Sequence, residues 1–216
     1  MNLIDTYAKI KGIKTALKKE DYSNAYVLIE KMEDKLKEQI NIETAKAKGG
    51  MTEKERYLMA KKIIKGVEET CPAFKGAWFE NGLQCICNSF YGVVLNDKIE
   101  GLPEVPEDVK KFKMENAFKT SKDFPIDFKF DFKEIKQTLK IAKSLLKEAK
   151  MNKSSIVDID EGVYELANKN VNIENLYNVL VLIGDVTEVD SDDSNVVSPI
   201  YLYSKKGKAI LLPLRK

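Results

Sequence analysis

Apolar residues recur at helical spacing in several parts of the chain. Residues 1–48 contain two such stretches around the polar turn KKEDYSNA, where Asp21 or Ser23 is placed to cap the second helix. This pattern predicts an N-terminal helical hairpin. The same spacing recurs in three later segments, residues 52–69, 132–150 and 173–183.

Strand patterns occupy the stretches between these helices. Asn81-Gly82 separates WFE from LQCIC, and this dipeptide is typical of a two-residue hairpin turn that needs positive φ at both positions. SIVDIDEGVYEL has the pattern of a short strand or hairpin pair. The C-terminal stretch SPIYLYSKKGKAILLPLRK predicts two strands around a Lys-Gly turn, and Pro213 predicts that the second is an edge strand or bends there.

Glycine and capping signals suggest where domains begin. Gly49-Gly50 is the best linker candidate, so residues 49–51 are predicted to be a linker. Thr52 and Glu55 then form a capping box at the start of the next helix. The predicted fold class is α+β, with a helical hairpin at 1–48 and one domain at 52–216 that carries a helical insertion around 130–150.

Composition excludes several kinds of catalytic site. The 216 residues include no histidine, three cysteines and, among 36 basic residues, two arginines. Histidine bases, catalytic triads and imidazole zinc sites are therefore excluded. Cys85 and Cys87 alternate along one strand and are predicted to be buried structural thiols, since nothing completes a metal site. The acidic run DVTEVDSDDSN lacks the glycine and glutamate of a calcium loop. We expect no catalytic residues, no metal and no cofactor.

No stretch of about 18 apolar residues is present, and the N-terminus lacks the pattern of a signal peptide. The expected location is the cytoplasm, without membrane contact.

Six lysines recur at spacings of three and four along the predicted helix 132–150, which places them on one face. They are Lys133, Lys136, Lys140, Lys143, Lys147 and Lys150. Three interpretations stay open. The face is simply solvated, or it contacts the phosphates of nucleic acid without sequence specificity, or it pairs with acidic residues. Residues 155–196 of the same chain, with ten Asp or Glu against one Lys, offer such an acidic partner.

Two segments resemble the bacterial DNA sliding clamp, the β-type processivity factor. VNIENLYNVLVLIGDVTEV is similar to the final unit of the clamp, and AILLPLRK is similar to its closing strand. Helix 52–69 with KGAWFENGLQCICNSFYGVVLND resembles the first unit. Residues 51–216 are also similar to a family of uncharacterised phage and prophage proteins from low-GC bacteria. The shared stretches are MTEKERYLMAKKIIK, GAWFENGLQ, VVLNDKIEGLP and VSPIYLYSKKGKAILLPLRK.

The resemblance implies one sliding-clamp-like domain, in which two strand-rich units carry helices 52–69 and 173–183 side by side. It implies a non-catalytic accessory role in phage or prophage DNA replication or recombination, with DNA backbone or a replication or recombination protein as partner. The alternative is a protein-interaction adaptor without nucleic-acid contact, and a homo-oligomer is compatible with both. The candidate partner-binding residues are Tyr201, Tyr203, Leu212, Pro213, Leu214 and Arg215.

Overall fold

The structure is a computed structural model with a mixed α+β fold. It describes seven parts of the chain, residues 3–19, 21–66, 71–118, 125–126, 130–151, 162–192 and 195–214. The chain divides into two compact units, Met1–Leu58 and Met59–Lys216. The boundary therefore falls later than the predicted one at residue 52.

The first unit contains the predicted helical hairpin. Helix α1 (Leu3–Lys18) is followed by the start of helix α2 (Tyr22–Lys65). Asp21 caps α2, because its side chain accepts a hydrogen bond from the backbone N–H of Asn24 at 3.1 Å. The two helices meet at Gly12, where an added Cβ would lie 3.4 Å from Leu28 Cδ1.

The predicted linker at residues 49–51 is wrong as a separate element, because its backbone is part of α2. The helix is bent near it, because Asn41 Nδ2 lies 3.5 Å from the hydroxyl of Tyr57, 16 residues further along, a distance that a straight helix could not close. A helical glycine costs only about 1 kcal/mol relative to alanine. The flanking stretches ETAKAK and MTEKER consist largely of good helix formers, so two glycines are not enough to end the helix. Thr52 accordingly lies inside α2, and its predicted role in a capping box at a helix start is wrong as well.

The second unit is built on an antiparallel sheet. Seven strands lie in the order β1-β2-β3-β9-β8-β7-β4, and two further strands, β5 and β6, form a separate hairpin. The strands are β1 (Trp78–Glu80), β2 (Leu83–Cys87), β3 (Tyr91–Leu95), β4 (Pro125–Ile126), β5 (Val163–Leu166), β6 (Lys169–Asn172), β7 (Val186–Ser191), β8 (Ile200–Ser204) and β9 (Gly207–Leu211).

This sheet contains the same arrangement twice. Helix α2 precedes the meander β1-β2-β3, and helix α5 (Ile173–Ile183) precedes the meander β7-β8-β9. The last strands of the two meanders, β3 and β9, pair antiparallel and join them. The sheet is therefore two helix-plus-three-strand units placed back to back.

Both predicted hairpins at this sheet are confirmed. The turn between β1 and β2 is Asn81-Gly82, with φ of 52° and 80°, and it sets Glu80 opposite Leu83. β8 and β9 flank the Lys-Gly turn, where the side chain of Ser204 accepts hydrogen bonds from the backbone N–H groups of Lys206 and Gly207. The predicted edge position of the last strand is wrong. Because β9 ends at Leu211, Pro213 lies beyond the ladder and β9 can pair on both sides, with β3 and β8.

Helix α5 begins and ends as predicted. The side chain of Asn172 accepts hydrogen bonds from the backbone N–H groups of Glu174 and Asn175, and Gly184 ends the helix at φ 75°. The helix packs on β3 and β9, and its Asn178 donates a hydrogen bond to the hydroxyl of Tyr91 at 3.2 Å. This places α5 over the junction of the two meanders.

The connector that follows β3 and contains helix α3 (Met114–Ala117) covers the face of the sheet opposite α5. Glu80 fixes α3 by accepting hydrogen bonds from the backbone N–H groups of Met114 and Glu115. Gly76, just before β1, allows the connector to approach closely, since an added Cβ would lie 2.5 Å from the backbone nitrogen of Val105. Met114 then packs with Trp78, Cys85 and Cys87 in one core cluster.

Candidate functional site

The lysine face lies on helix α4 (Phe132–Met151), which confirms the predicted helix. Asp131 starts the helix, because its side chain accepts hydrogen bonds from the backbone N–H groups of Lys133 and Glu134. The apolar positions Ile135, Leu139 and Ala142 are buried, and the helix packs on α5. Its orientation is therefore fixed by an apolar face and a polar cap.

Four lysines of this face are exposed: Lys133, Lys136, Lys140 and Lys143. Lys147 and Lys150 belong to α4, and their side chains lie outside the described residues. Within the part of the chain that the structure describes, Lys133, Lys136 and Lys140 form no ion pair. We define these three residues as the lysine row.

Lys143 differs from the lysine row because it is paired within the chain. Its Nζ lies 3.0 Å from Glu174 Oε1 at the start of α5, and Lys62 Nζ of α2 lies 2.6 Å from the same oxygen. One carboxylate thus ties together the end of α2, the middle of α4 and the first turn of α5. Glu174 belongs to the acidic block 155–196, so among the lysines of α4 whose side chains are described, pairing with this block is seen at Lys143.

The pKa of Glu174 reflects two opposing influences. Partial burial alone would raise the pKa, but hydrogen bonds and positive charge from Lys62 and Lys143 outweigh it. The pKa of the carboxyl group is therefore lowered from its ordinary value of 4.5.

A group whose pKa is lower in the folded than in the unfolded chain stabilises the fold above the unfolded pKa, and it loses that contribution as the pH falls through the folded pKa. We therefore expect the native chain to have a larger free energy of unfolding than Glu174→Gln at neutral pH. The difference should shrink once the pH falls below 4.5. Urea denaturation of both proteins at neutral and acidic pH measures it. A difference that is the same at both pH values would contradict the assignment.

An apolar pocket lies on the face of the sheet opposite α5, between the connector and β9. Its volume is about 300 Å³, and Phe74, Phe112, Met114 and Leu212 contribute to its lining. The rings of Phe74 and Phe112 stack at a centroid distance of 5.1 Å, and Phe112 and Leu212 are exposed. A pocket of this size and lining accommodates one or two apolar side chains of a bound peptide.

The predicted partner-binding residues divide between different environments. Leu212 lines the apolar pocket, and Pro213 and Leu214 follow it with intermediate exposure. Tyr201 is buried and Tyr203 is half-buried, and both rings contact Phe118 at centroid distances of 5.8 and 6.5 Å. These two tyrosines pack internally and do not line the apolar pocket. Arg215 lies outside the described residues.

Sequence reasoning missed the aromatic half of the pocket. Phe74 lies just before β1, and Phe112 lies in the connector after β3. Each stands beside lysine, in AFKG and KKFKM. Isolated aromatic residues in such polar surroundings were the available sequence signal for a binding site. Their convergence could not be predicted, because it depends on how the connector crosses the sheet.

The thiols of Cys85 and Cys87 are unsuited to nucleophilic chemistry. Cys85 and Cys87 are buried, as predicted, and burial raises the pKa of each thiol to about 12. The thiols are therefore protonated at neutral pH. Within the described residues, no group of three or more Cys, Asp or Glu side chains is placed to hold a metal ion.

None of the described helices combines the length and apolar character that crossing a bilayer requires. Comparison with protein-family models, with curated proteins and with solved structures finds no match to this chain.

Proposed function

We propose that this chain is a non-catalytic accessory protein of phage or prophage DNA replication or recombination. It acts in the cytoplasm through a clamp-like domain, with the lysine row against the DNA backbone. The observation that carries the proposal is the lysine row itself, three exposed ammonium groups, unpaired among the described residues, on a helix held by its apolar face. Such a row attracts phosphate, since binding releases the counterions condensed on the nucleic acid.

The repeated arrangement of the sheet supports the clamp-like part of the proposal. The resemblance implies two strand-rich halves, each with a helix. The sheet of the second compact unit contains a helix-plus-three-strand arrangement twice, joined at β3 and β9. The ion pair between Lys62 and Glu174 brings the end of α2 to the start of α5.

The proposal is tested by the affinity for DNA at two salt concentrations. Fluorescence anisotropy with a labelled duplex is measured at 50 and 200 mM salt. If the lysine row neutralises three phosphates, affinity should weaken about 40-fold between these conditions, because its logarithm falls with the logarithm of salt by about 0.9 per phosphate. Absence of binding at 50 mM would contradict the DNA-binding function.

A second function is favoured by the apolar pocket. The exposed Phe112 and Leu212 at its mouth fit a protein-interaction adaptor that binds an apolar peptide segment and makes no nucleic-acid contact. The partner would be a replication or recombination protein in this case as well. Salt-insensitive binding of a peptide together with no binding of the duplex distinguishes this adaptor from the leading proposal.

A further inference from the structure

The helical hairpin of the first unit has a very small core. Among residues 8–42, whose side chains the structure describes with the exception of residue 20, only Ala16 and Ala25 are buried. Ile13, Leu28, Met32 and Ile42 are half-buried. Two alanines and four partly covered side chains remove little apolar surface from water, so these residues gain little stability from their own packing.

Most of the large apolar side chains described in the hairpin face outward. On α2 they follow the three- and four-residue spacing of a heptad repeat, with a single polar residue, Glu33, within the row. The exposed apolar members are Tyr22, Tyr26, Ile29, Leu36 and Ile40. Tyr26 is 69% exposed and Ile40 is 61% exposed, values far above those of core positions.

Helix α1 extends this row into a broader surface. Ile10 and Leu17 are exposed and lie one heptad apart. Around the axis of α1, these two residues lie about 100° from the side that contacts α2. Around the axis of α2, the row lies at a similar angle, in the same sense, from the side that contacts α1. Since the helices are antiparallel, the two rotations bring both sets to the same side of the hairpin. We call these seven side chains the apolar face.

We propose that the apolar face binds a second copy of this chain, so that two hairpins pack face to face as a four-helix assembly. The seven side chains together expose on the order of 700 Å², which is close to the ~800 Å² per partner that a standard stable interface buries. Heptad spacing on α2 suits packing against another helix. A two-fold arrangement covers the same residues on both copies at once.

Glu33 gives this interface a distinctive property. It lies between Ile29 and Leu36 in the row, so association brings its carboxylate towards an apolar surface and towards the same residue of the partner subunit. The charge weakens the interface without preventing it. Replacing Glu33 by leucine removes this opposition and completes the heptad row.

Sedimentation equilibrium of the full chain between about 1 and 200 µM measures the association. We expect a dimer in this range. The variant Ile29→Glu/Ile40→Glu should weaken it at least about 100-fold, to a monomer throughout, because four buried charges would meet across the interface. Glu33→Leu should tighten it at least about 10-fold, since an apolar pair replaces a desolvated carboxylate.

A matched control is Asn24→Glu/Lys31→Glu, which adds negative charge at two exposed positions on the opposite side of α2 and should leave the association constant within about twofold. Circular dichroism checks that every variant keeps its helix content. A wild-type chain that stays monomeric up to 200 µM would overturn the proposal. So would a dimer that Ile29→Glu/Ile40→Glu leaves intact, or a Glu33→Leu variant that associates no more tightly than the wild type.

Discussion

Reversing the charge of the lysine row, with Lys133→Glu, Lys136→Glu and Lys140→Glu together, is expected to weaken duplex binding at 50 mM salt by about 100-fold or more. The reason is that three ammonium groups that would face phosphate become three carboxylates that repel it. The dependence of affinity on salt should also become shallower, by about one unit of slope for each phosphate that the protein no longer neutralises. Anisotropy titrations at several salt concentrations give both quantities.

The control for this variant changes the net charge equally at other places. Lys75→Glu, Lys110→Glu and Lys205→Glu replace three exposed lysines that lie outside α4. If the proposed contact is right, this control should lose only a small part of the affinity through the overall field of the protein. Equal losses in the two triple variants would mean that DNA responds to total charge, and the lysine row would have no special role.

The largest expected effect on stability comes from Leu176→Ala in α5. Leu176 is fully buried in a helix that packs on β3 and β9. Removing its side chain leaves a cavity above the junction of the two meanders, which should lower the free energy of unfolding by about 2–5 kcal/mol. Urea denaturation followed by circular dichroism measures this change.

Leu212→Ala is the matched control, because it is the same substitution at a position 41% exposed. We expect it to cost less than about 1 kcal/mol, since water already reaches this side chain and its removal changes little packing. If the two substitutions destabilise the chain equally, α5 does not pack over the sheet as described. Leu212→Ala also removes part of the apolar pocket without disturbing the core.

The elements that local chemistry specifies were predictable. Asn81-Gly82 needs positive φ at both residues, and Asn172 and Gly184 supply the start and stop of α5. The failures have physical reasons as well. Gly49-Gly50 is a weak helix breaker beside strong helix formers, and Pro213 ends β9 without moving it to the edge of the sheet.

The candidate sites were predictable only where they follow from one helix. The spacing of the lysines predicts directly that they share one face of α4, and four of them are exposed as this spacing indicates. The pairing of Lys143 with Glu174 could not be predicted from the sequence, because it depends on how α4 packs on α5. Likewise, Phe74, Phe112 and Leu212 are distant in sequence, and only the tertiary fold brings them to one pocket.

The central pairing of the sheet has a consequence for how the chain is made. Leu95 of β3 pairs with Gly207 of β9, so closing this contact joins segments more than about 100 residues apart, a slow step in folding. On the ribosome, the meander β1-β2-β3 is synthesised long before β9, the strand that pairs with β3. Until β9 emerges, β3 presents an open edge with the apolar sequence YGVVL, which is a template for aggregation. We therefore expect the nascent chain to be most prone to aggregation in the interval before β9 emerges.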